Sequence, residues 1–181
     1  MIDFAFIHNW APKYPAKYDD QGDFASIEDA RKGDHKALRK LTEWKNAGYG
    51  GQPVQFSKHK QKETAFQFFL TRLPRYLRPD GRAQLRKDFA RRAPVWSTFW
   101  HHILYGTPIF DVYTHMAWHW NLTGIILSKK DATICAPAHW PTYDRYCVWF
   151  RLTLERLLRE DAQITERLLD RALFMWGQSQ E

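Results

Sequence analysis

The stretch TPIFDVYTH at residues 107–115 separates two segments rich in aromatic residues, PVWSTFWHHILY at 94–105 and VYTHMAWHWNL at 112–122. In both segments the apolar residues recur at intervals of three and four, which is the period of an α-helix. Residues 106–108 (Gly-Thr-Pro) interrupt that pattern, because glycine and proline both break helices. The sequence therefore predicts two helices joined by a turn, with the carboxylate of Asp111 in the first turn of the second helix.

Helical periodicity also runs through the rest of the chain, and no stretch sustains the alternation of apolar and polar residues that marks a strand. A chain of 181 residues is long enough to bury one substantial core. The expected fold is all-α, a compact single-domain helical bundle over residues 1–181. Further helices are expected at residues 26–33, 34–48, 60–73, 81–92, 143–158 and 161–176, with loops at 49–57 and 128–141 and an irregular N-terminal arm at 1–24.

The charge of the chain is concentrated in one region. The formal net charge is +7, and residues 58–92 alone carry eleven Lys or Arg against three acids, a local balance of +8. Such a stretch is typical either of solvated helix faces or of a surface that tracks phosphates. The balance favours an acidic partner, either a nucleic acid or an anionic membrane surface.

Two features indicate the compartment. Cys135 and Cys147 show no CxxC spacing, which is typical of proteins in a reducing environment. The first ten residues lack the basic start and apolar core of a signal peptide, and no apolar run reaches the roughly 18 residues that span a bilayer. We therefore expect a cytoplasmic protein with no membrane partner.

Asp111 is the candidate catalytic carboxylate. The common role of an acid at this position is to cap the helix. Its neighbourhood suggests a second role, because nine tryptophans and 16% aromatic residues exceed the usual content, and several lie close to the break at 106–108. A lone carboxylate among aromatic rings can stabilise positive charge on a sugar and direct water as an N-glycosidic bond breaks.

The histidines suggest an alternative. Asp111, His115 and His119 are spaced at i, i+4 and i+8, which puts them on one helix face, and His pairs at i, i+4 occur in metal sites. The glutamate of a metalloprotease helix is missing, and a bare pair is more often a coincidence. A metal-dependent enzyme therefore stays open as an alternative, while the leading interpretation requires no metal and no other cofactor.

The segment PIFDVYTHMAWHW at 108–120 resembles the acid segment of the helix-hairpin-helix DNA glycosylases, in which an Asp commonly stands within Val-Asp-Thr-His-Val. Asp111 takes the place of that Asp, and His115 lies two residues beyond the His of the pattern. The stretches EWKN at 43–46 and LDRALFMWG at 169–177 extend the similarity to a divergent bacterial branch of that superfamily.

One departure from the pattern concerns the hairpin. Residues 92–96 read Arg-Ala-Pro-Val-Trp where the superfamily has a sequence like Leu-Pro-Gly-Val-Gly. Those glycines let backbone N–H groups approach a DNA phosphate. Their absence leaves a second alternative, a non-catalytic nucleic-acid-binding module of the same fold.

The resemblance implies a DNA glycosylase that flips a damaged or modified base out of double-stranded DNA, in repair or in defence against phage. Asp111 would be catalytic. Bifunctional members of the superfamily carry a lysine that forms a Schiff base in the helix before this Asp, and here the sequence has no lysine between Lys87 and Lys129. The enzyme should therefore be monofunctional, leaving an abasic site, and a monomer is expected. Proximity to Asp111 assigns Trp96, Trp100, Tyr113, His115 and Trp118 to the base pocket, and Lys87, Arg91 and Arg92 to the DNA backbone.

Overall fold

The computed structural model describes residues 1–15, 24–47, 59–136 and 138–181. Every regular element in these ranges is helical, which confirms the predicted all-α class. None of the described helices is both long enough and apolar enough to cross a membrane. In chain order the helices are α1 (Phe4–Trp10), α2 (Phe24–Arg31), α3 (His35–Ala47), α4 (Lys60–Leu70), α5 (Leu73–Tyr76), α6 (Gly81–Asp88), α7 (Pro94–Tyr105), α8 (Val112–Thr123), α9 (Lys129–Ala132), α10 (His139–Glu160) and α11 (Glu166–Gln178).

Contacts divide the chain into two compact units. Residues 1–15 and 107–181 form one, which we call the terminal unit, and residues 16–106 form the other, the central unit. The single domain expected over residues 1–181 stays a prediction. The loop expected at 49–57 lies outside the described residues.

The N-terminal segment is more regular than expected. Asp3 accepts a hydrogen bond from the Phe6 N–H at 2.8 Å and so caps α1, and a 3-10 turn at Ala11–Lys13 follows. Pro12 lies in the first turn of that element, where its missing N–H costs nothing. The expectation of an irregular arm is therefore wrong for residues 4–13.

The core of the central unit forms around Trp100, whose side chain is 0% exposed. Its ring stacks on Phe69 with 4.5 Å between centroids, and its indole N–H donates to the Thr42 hydroxyl at 3.2 Å. Burying one large ring contributes about 1.5–3 kcal/mol, provided that its polar atom is satisfied. Trp100, an aromatic residue of α7, therefore packs in the core of the central unit.

The turn between α6 and α7 replaces the last part of an expected helix. The sequence predicted a helix over 81–92, but α6 ends at Asp88. Ala93 then adopts a left-handed conformation with φ 44° and ψ 51°, and Pro94 begins α7. Among the described residues Ala93 is the only non-glycine with positive φ, so this reversal carries backbone strain.

The loop expected at 128–141 contains helical residues. Ser128 caps α9 by accepting a hydrogen bond from the Asp131 N–H at 3.2 Å, and α10 begins at His139. The last helix begins later than the expected residue 161, because the Thr165 hydroxyl caps α11 through the Leu168 N–H. Serine and threonine at these places act as helix starts.

Candidate functional site

Asp111 is the N-cap of α8. Its Oδ1 accepts hydrogen bonds from the N–H groups of Tyr113 and Thr114, both at 3.0 Å, while the Thr114 hydroxyl accepts the Asp111 N–H at 2.9 Å. This reciprocal arrangement is a capping box, in which two backbone donors find side-chain acceptors. The side chain is only 6% exposed. The carboxylate is therefore buried, fixed in orientation and placed at the positive end of a helix dipole.

Hydrogen bonds join the turn before Asp111 to α10. The Tyr143 hydroxyl donates to the Pro108 carbonyl at 3.0 Å and shares a hydrogen bond of 2.6 Å with the Thr107 hydroxyl. Both contacts are buried and join residues more than 30 positions apart. Tyr143 thus holds the segment that carries Asp111.

Phe110 lies at the centre of an aromatic cluster, the name used below for the rings around it. Its ring centroid lies 4.6 Å from that of Tyr146, on which it stacks, and 5.2 Å from that of His115. The other two members, Tyr143 and Trp118, lie at 5.8 and 6.2 Å. Asp111 follows Phe110 directly, so the carboxylate borders a set of buried rings.

Two polar atoms of the aromatic cluster are buried without a hydrogen bond to any described residue. They are the indole nitrogen Nε1 of Trp118 and the hydroxyl of Tyr146. The Thr114 side chain lies near the Tyr146 hydroxyl but outside hydrogen-bond geometry. Buried donors of this kind carry a desolvation cost and are uncommon.

A second buried carboxylate lies near the same tyrosine. Burial raises the pKa of Tyr146, and the charges of Asp170 and Asp111 raise it further. Asp170 pairs with Arg167 at 3.1 Å. Sequence reasoning missed Asp170 as a site residue, although an acid between the buried Leu169 and Ala172 was a visible signal.

Tyr113 takes part in a partly exposed polar network. Its hydroxyl donates to the Glu181 carboxylate at 3.0 Å and accepts from the Lys129 ammonium at 3.2 Å. Lys129 and Glu181 also form an ion pair at 2.5 Å. The Tyr113 ring packs edge-on against Phe174, so this residue joins α8 to the end of α11.

The histidines of α8 bond to backbone carbonyls. Nδ1 of His115 donates to the Ala132 carbonyl at 2.8 Å, and Nδ1 of His119 lies 3.0 Å from the Ile125 carbonyl. Burial lowers the pKa of His115, which favours the neutral ring. Within the described ranges no group of three or more His, Cys, Asp or Glu side chains could hold a metal ion. The metal-dependent alternative therefore lacks a donor set there.

The expected base pocket is divided between the two units. Tyr113, His115 and Trp118 belong to the terminal unit, as does the catalytic candidate Asp111, whereas Trp96 and Trp100 belong to the central unit. Trp96 is half-buried, with the Lys62 ammonium 5.7 Å from its ring centroid. Trp100 occupies the core position described above, so its location does not support a role as a pocket wall.

The predicted DNA-backbone residues lie among the cations of residues 72–92 in the central unit. Lys87, Arg91 and Arg92 are all exposed. The Arg92 guanidinium stands 4.5 Å from the centroid of Phe68, and that of Arg72 stands 3.6 Å from it. We define the basic face by its residues: Arg72, Arg75, Arg78, Arg82, Arg86, Lys87, Arg91 and Arg92.

The chain matches no protein-family model, no curated protein and no solved structure. The two units carry different functional groups. The terminal unit holds a buried, oriented carboxylate beside aromatic rings, a set of groups suited to stabilising positive charge in a water-poor environment. The central unit presents many cations, suited to binding phosphates.

Proposed function

We propose that the protein is a monofunctional DNA glycosylase that hydrolyses the N-glycosidic bond of a damaged or modified base. The observation that carries the proposal is the buried carboxylate of Asp111, oriented by two backbone N–H groups beside the aromatic cluster. Such a carboxylate stabilises the positive charge that develops on the deoxyribose as the base leaves, and directs a water molecule to the sugar carbon. Because Asp111 is only 6% exposed, entry of a flipped nucleotide requires local movement around it.

The absence of lysine between Lys87 and Lys129 determines the reaction product. Bifunctional members of the superfamily that the sequence resembles carry their Schiff-base lysine in the helix before the catalytic Asp, and α7 contains no lysine, so water is the nucleophile. The C–N bond breaks and the base departs with the bonding electrons. Water adds its oxygen to the sugar carbon, and the proton that water loses balances the one that the departing base takes up on its nitrogen. The strand stays intact at an abasic site.

The basic face and the turn at 89–93 support DNA as the partner. The basic face carries eight cations, and two acids lie among them in the sequence. Asp88 accepts hydrogen bonds from Tyr76 and Gln84, and Asp80 is exposed. The turn keeps a left-handed backbone at Ala93 although it lacks glycine, which agrees with a hairpin between two helices. The substrate we propose is double-stranded DNA in the cytoplasm that carries either a repair lesion or a phage modification. The protein would bind it as a monomer.

The test is a base-release assay. The protein is incubated with duplexes that carry a panel of damaged and modified bases, and hot alkali then cleaves any abasic sites. Asp111→Asn should reduce release at least about 100-fold, the effect of removing a major electrostatic contribution. Asp3→Asn is the matched control, because Asp3 also caps a helix of the terminal unit. If Asp111→Asn releases base at the wild-type rate, Asp111 is not catalytic.

A non-catalytic nucleic-acid-binding module is the second candidate. The observation that favours it is the cap itself, which gives Asp111 a complete structural role at low exposure. This alternative predicts that duplexes bind to the basic face with a steep salt dependence while no base of the panel is released.

A further inference from the structure

A concavity opens on the central unit at the beginning of α6. It has a volume of about 500 Å³ and is lined by Pro79, Asp80, Arg82, Ala83 and Arg86. Arg82 and Arg86 are one helical turn apart, so their side chains extend from the same face of α6. Arg82 and Arg86 belong to the basic face, but none of the residues predicted from the sequence for the base pocket or the DNA backbone lines this concavity.

The guanidinium group of Arg82 is hydrogen-bonded to a buried histidine. Its Nε donates to Nε2 of His101 at 3.1 Å, and the His101 side chain is 0% exposed. Burial, together with the charges of Arg82 and Arg86, lowers the pKa of His101 to about 3, so the ring is neutral near pH 7 and Nε2 accepts. The Nε contact is the only side-chain hydrogen bond that Arg82 makes with the described residues, and its two terminal nitrogens remain available.

The charges of the lining residues fit a singly charged anion. Two guanidinium groups and one carboxylate leave the concavity with one net positive charge. A guanidinium presents parallel N–H donors that match two oxygens of a phosphate, and one that is already oriented loses less freedom on binding. The carboxylate of Asp80 opposes anions and so should weaken the site when it is present.

We propose that this concavity binds one phosphate group through the guanidinium groups of Arg82 and Arg86. On the function proposed above, the group is a phosphodiester of the DNA backbone, at a place separate from Lys87, Arg91 and Arg92. His101 acts as a positioning residue, because it orients Arg82 without reaching the anion.

The first experiment uses inorganic phosphate as the probe. The side-chain Nε–H signals of arginine are followed by NMR while phosphate is added to the full chain. The signals of Arg82 and Arg86 should shift and saturate, and those of Arg75, an exposed arginine that does not line the concavity, should not. Equal, non-saturating shifts of all three would overturn the proposal.

The second experiment measures binding of a short unmodified duplex. Arg82→Ala should weaken binding about 5- to 10-fold and reduce the salt slope by about one phosphate contact. Arg75→Ala removes the same charge from the basic face but outside the concavity, so it should weaken binding less. Asp80→Asn should tighten binding, and Arg82→Lys, which keeps the charge but cannot donate from Nε, should fall between wild type and Arg82→Ala. Equal losses for Arg82→Ala and Arg75→Ala would refute the site.

The two experiments separate this proposal from the proposed function. If duplexes bind but Arg82 and Arg75 matter equally, the concavity is not a phosphate site while DNA binding stands. If phosphate shifts Arg82 and Arg86 but no duplex binds, the site stands with a free phosphate as its source, and the glycosylase proposal fails.

Discussion

Gly177 lies so close to the backbone of Tyr113 that a Cβ on it would be 2.2 Å from the Tyr113 carbonyl oxygen. Gly177 is buried and lies inside α11, which continues to Gln178. The helix expected at 161–176 stops before this glycine, so the expected C-terminal bound is wrong by two residues. Its role is to let α11 approach the first turn of α8, the turn that Asp111 caps.

Gly177→Ala should destabilise the protein by about 1–3 kcal/mol. Alanine gains roughly 1 kcal/mol of helix propensity over glycine, but a methyl group against a backbone oxygen forces one helix to move, and overpacking of this kind costs more. Urea unfolding measures the difference. Ser179→Ala, at the exposed end of the same helix, is the control and should stay within about 0.5 kcal/mol. A Gly177→Ala protein as stable as wild type would contradict the packing described here.

Three substitutions in the capping box of α8 should lower the free energy of unfolding by different amounts. Asp111→Ala should cost about 1 kcal/mol, because two N–H groups lose their acceptor, and Asp111→Asn should cost less, because its amide oxygen can still accept. Thr114→Val should cost about 1–3 kcal/mol, because the buried Asp111 N–H is left without an acceptor. Thermal unfolding of the three variants gives the order. Equal stability of Asp111→Ala and Asp111→Asn would argue against the cap.

Removing the hydroxyl group from each of two tyrosines of the aromatic cluster should have opposite effects on the stability of the protein. Tyr143→Phe should cost about 1–2 kcal/mol, since it breaks the bonds that hold Thr107 and Pro108. Tyr146→Phe should be neutral or stabilising by up to about 1 kcal/mol, since its hydroxyl is buried without a hydrogen bond to the described residues. Chemical unfolding compares the pair. A larger loss for Tyr146→Phe would show that its hydroxyl has a partner.

His101 should make stability depend on pH in acid. Its pKa in the folded protein is about 3, against 6.5 for the ordinary side chain, chiefly because of burial, with Arg82, Arg86 and His102 adding to the effect. Between pH 6.5 and 3 the unfolded chain therefore binds a proton that the folded chain does not. The stability contributed by His101 is complete above pH 6.5 and falls by up to about 1.4 kcal/mol per pH unit below it.

The variant His101→Gln isolates this effect. Glutamine can still accept a hydrogen bond from Arg82 but does not titrate. The difference in unfolding free energy between wild type and His101→Gln should change with pH below 6.5, whereas the contributions of carboxylates cancel. A constant difference from pH 7 to pH 4 would refute the prediction.

Ala93→Gly should stabilise the turn between α6 and α7. The left-handed conformation costs alanine about 1 kcal/mol or more, which glycine avoids, while glycine adds unfolded-state entropy. We expect a net gain of up to about 1 kcal/mol in urea unfolding. Ala90→Gly, in the same turn but without positive φ, should instead destabilise by about 0.5–1 kcal/mol. Destabilisation by both changes would mean that Ala93 is not strained.

Several parts of the fold could be predicted because their causes are local. The break at 106–108 was located correctly, since glycine and proline act within a few residues, and α7 and α8 have almost the bounds that were expected. Asp34, at the start of the helix expected at 34–48, caps α3 by accepting hydrogen bonds from the N–H groups of Lys36 and Ala37. The cap at Asp111 is equally local.

The boundaries that were predicted wrongly depend on weaker signals. The helix at 81–92 stops at Asp88 although nothing in its apolar pattern breaks there. Ser128 starts a helical turn inside the loop that was expected at 128–141. In both places side-chain hydrogen bonds and packing outweigh propensity, which is a weak guide by itself.

The sequence by itself determined the helical class, the place of the central turn, the acid at its end and the concentration of positive charge. Each of these depends on residue type and near spacing. Only the tertiary structure decided that Trp100 bonds to Thr42 across 58 positions, that Asp170 lies near the same tyrosine as Asp111, and that Gly177 accommodates the carbonyl of Tyr113. These contacts join residues far apart in the chain, and their formation depends on the packing of whole helices, which no local pattern records.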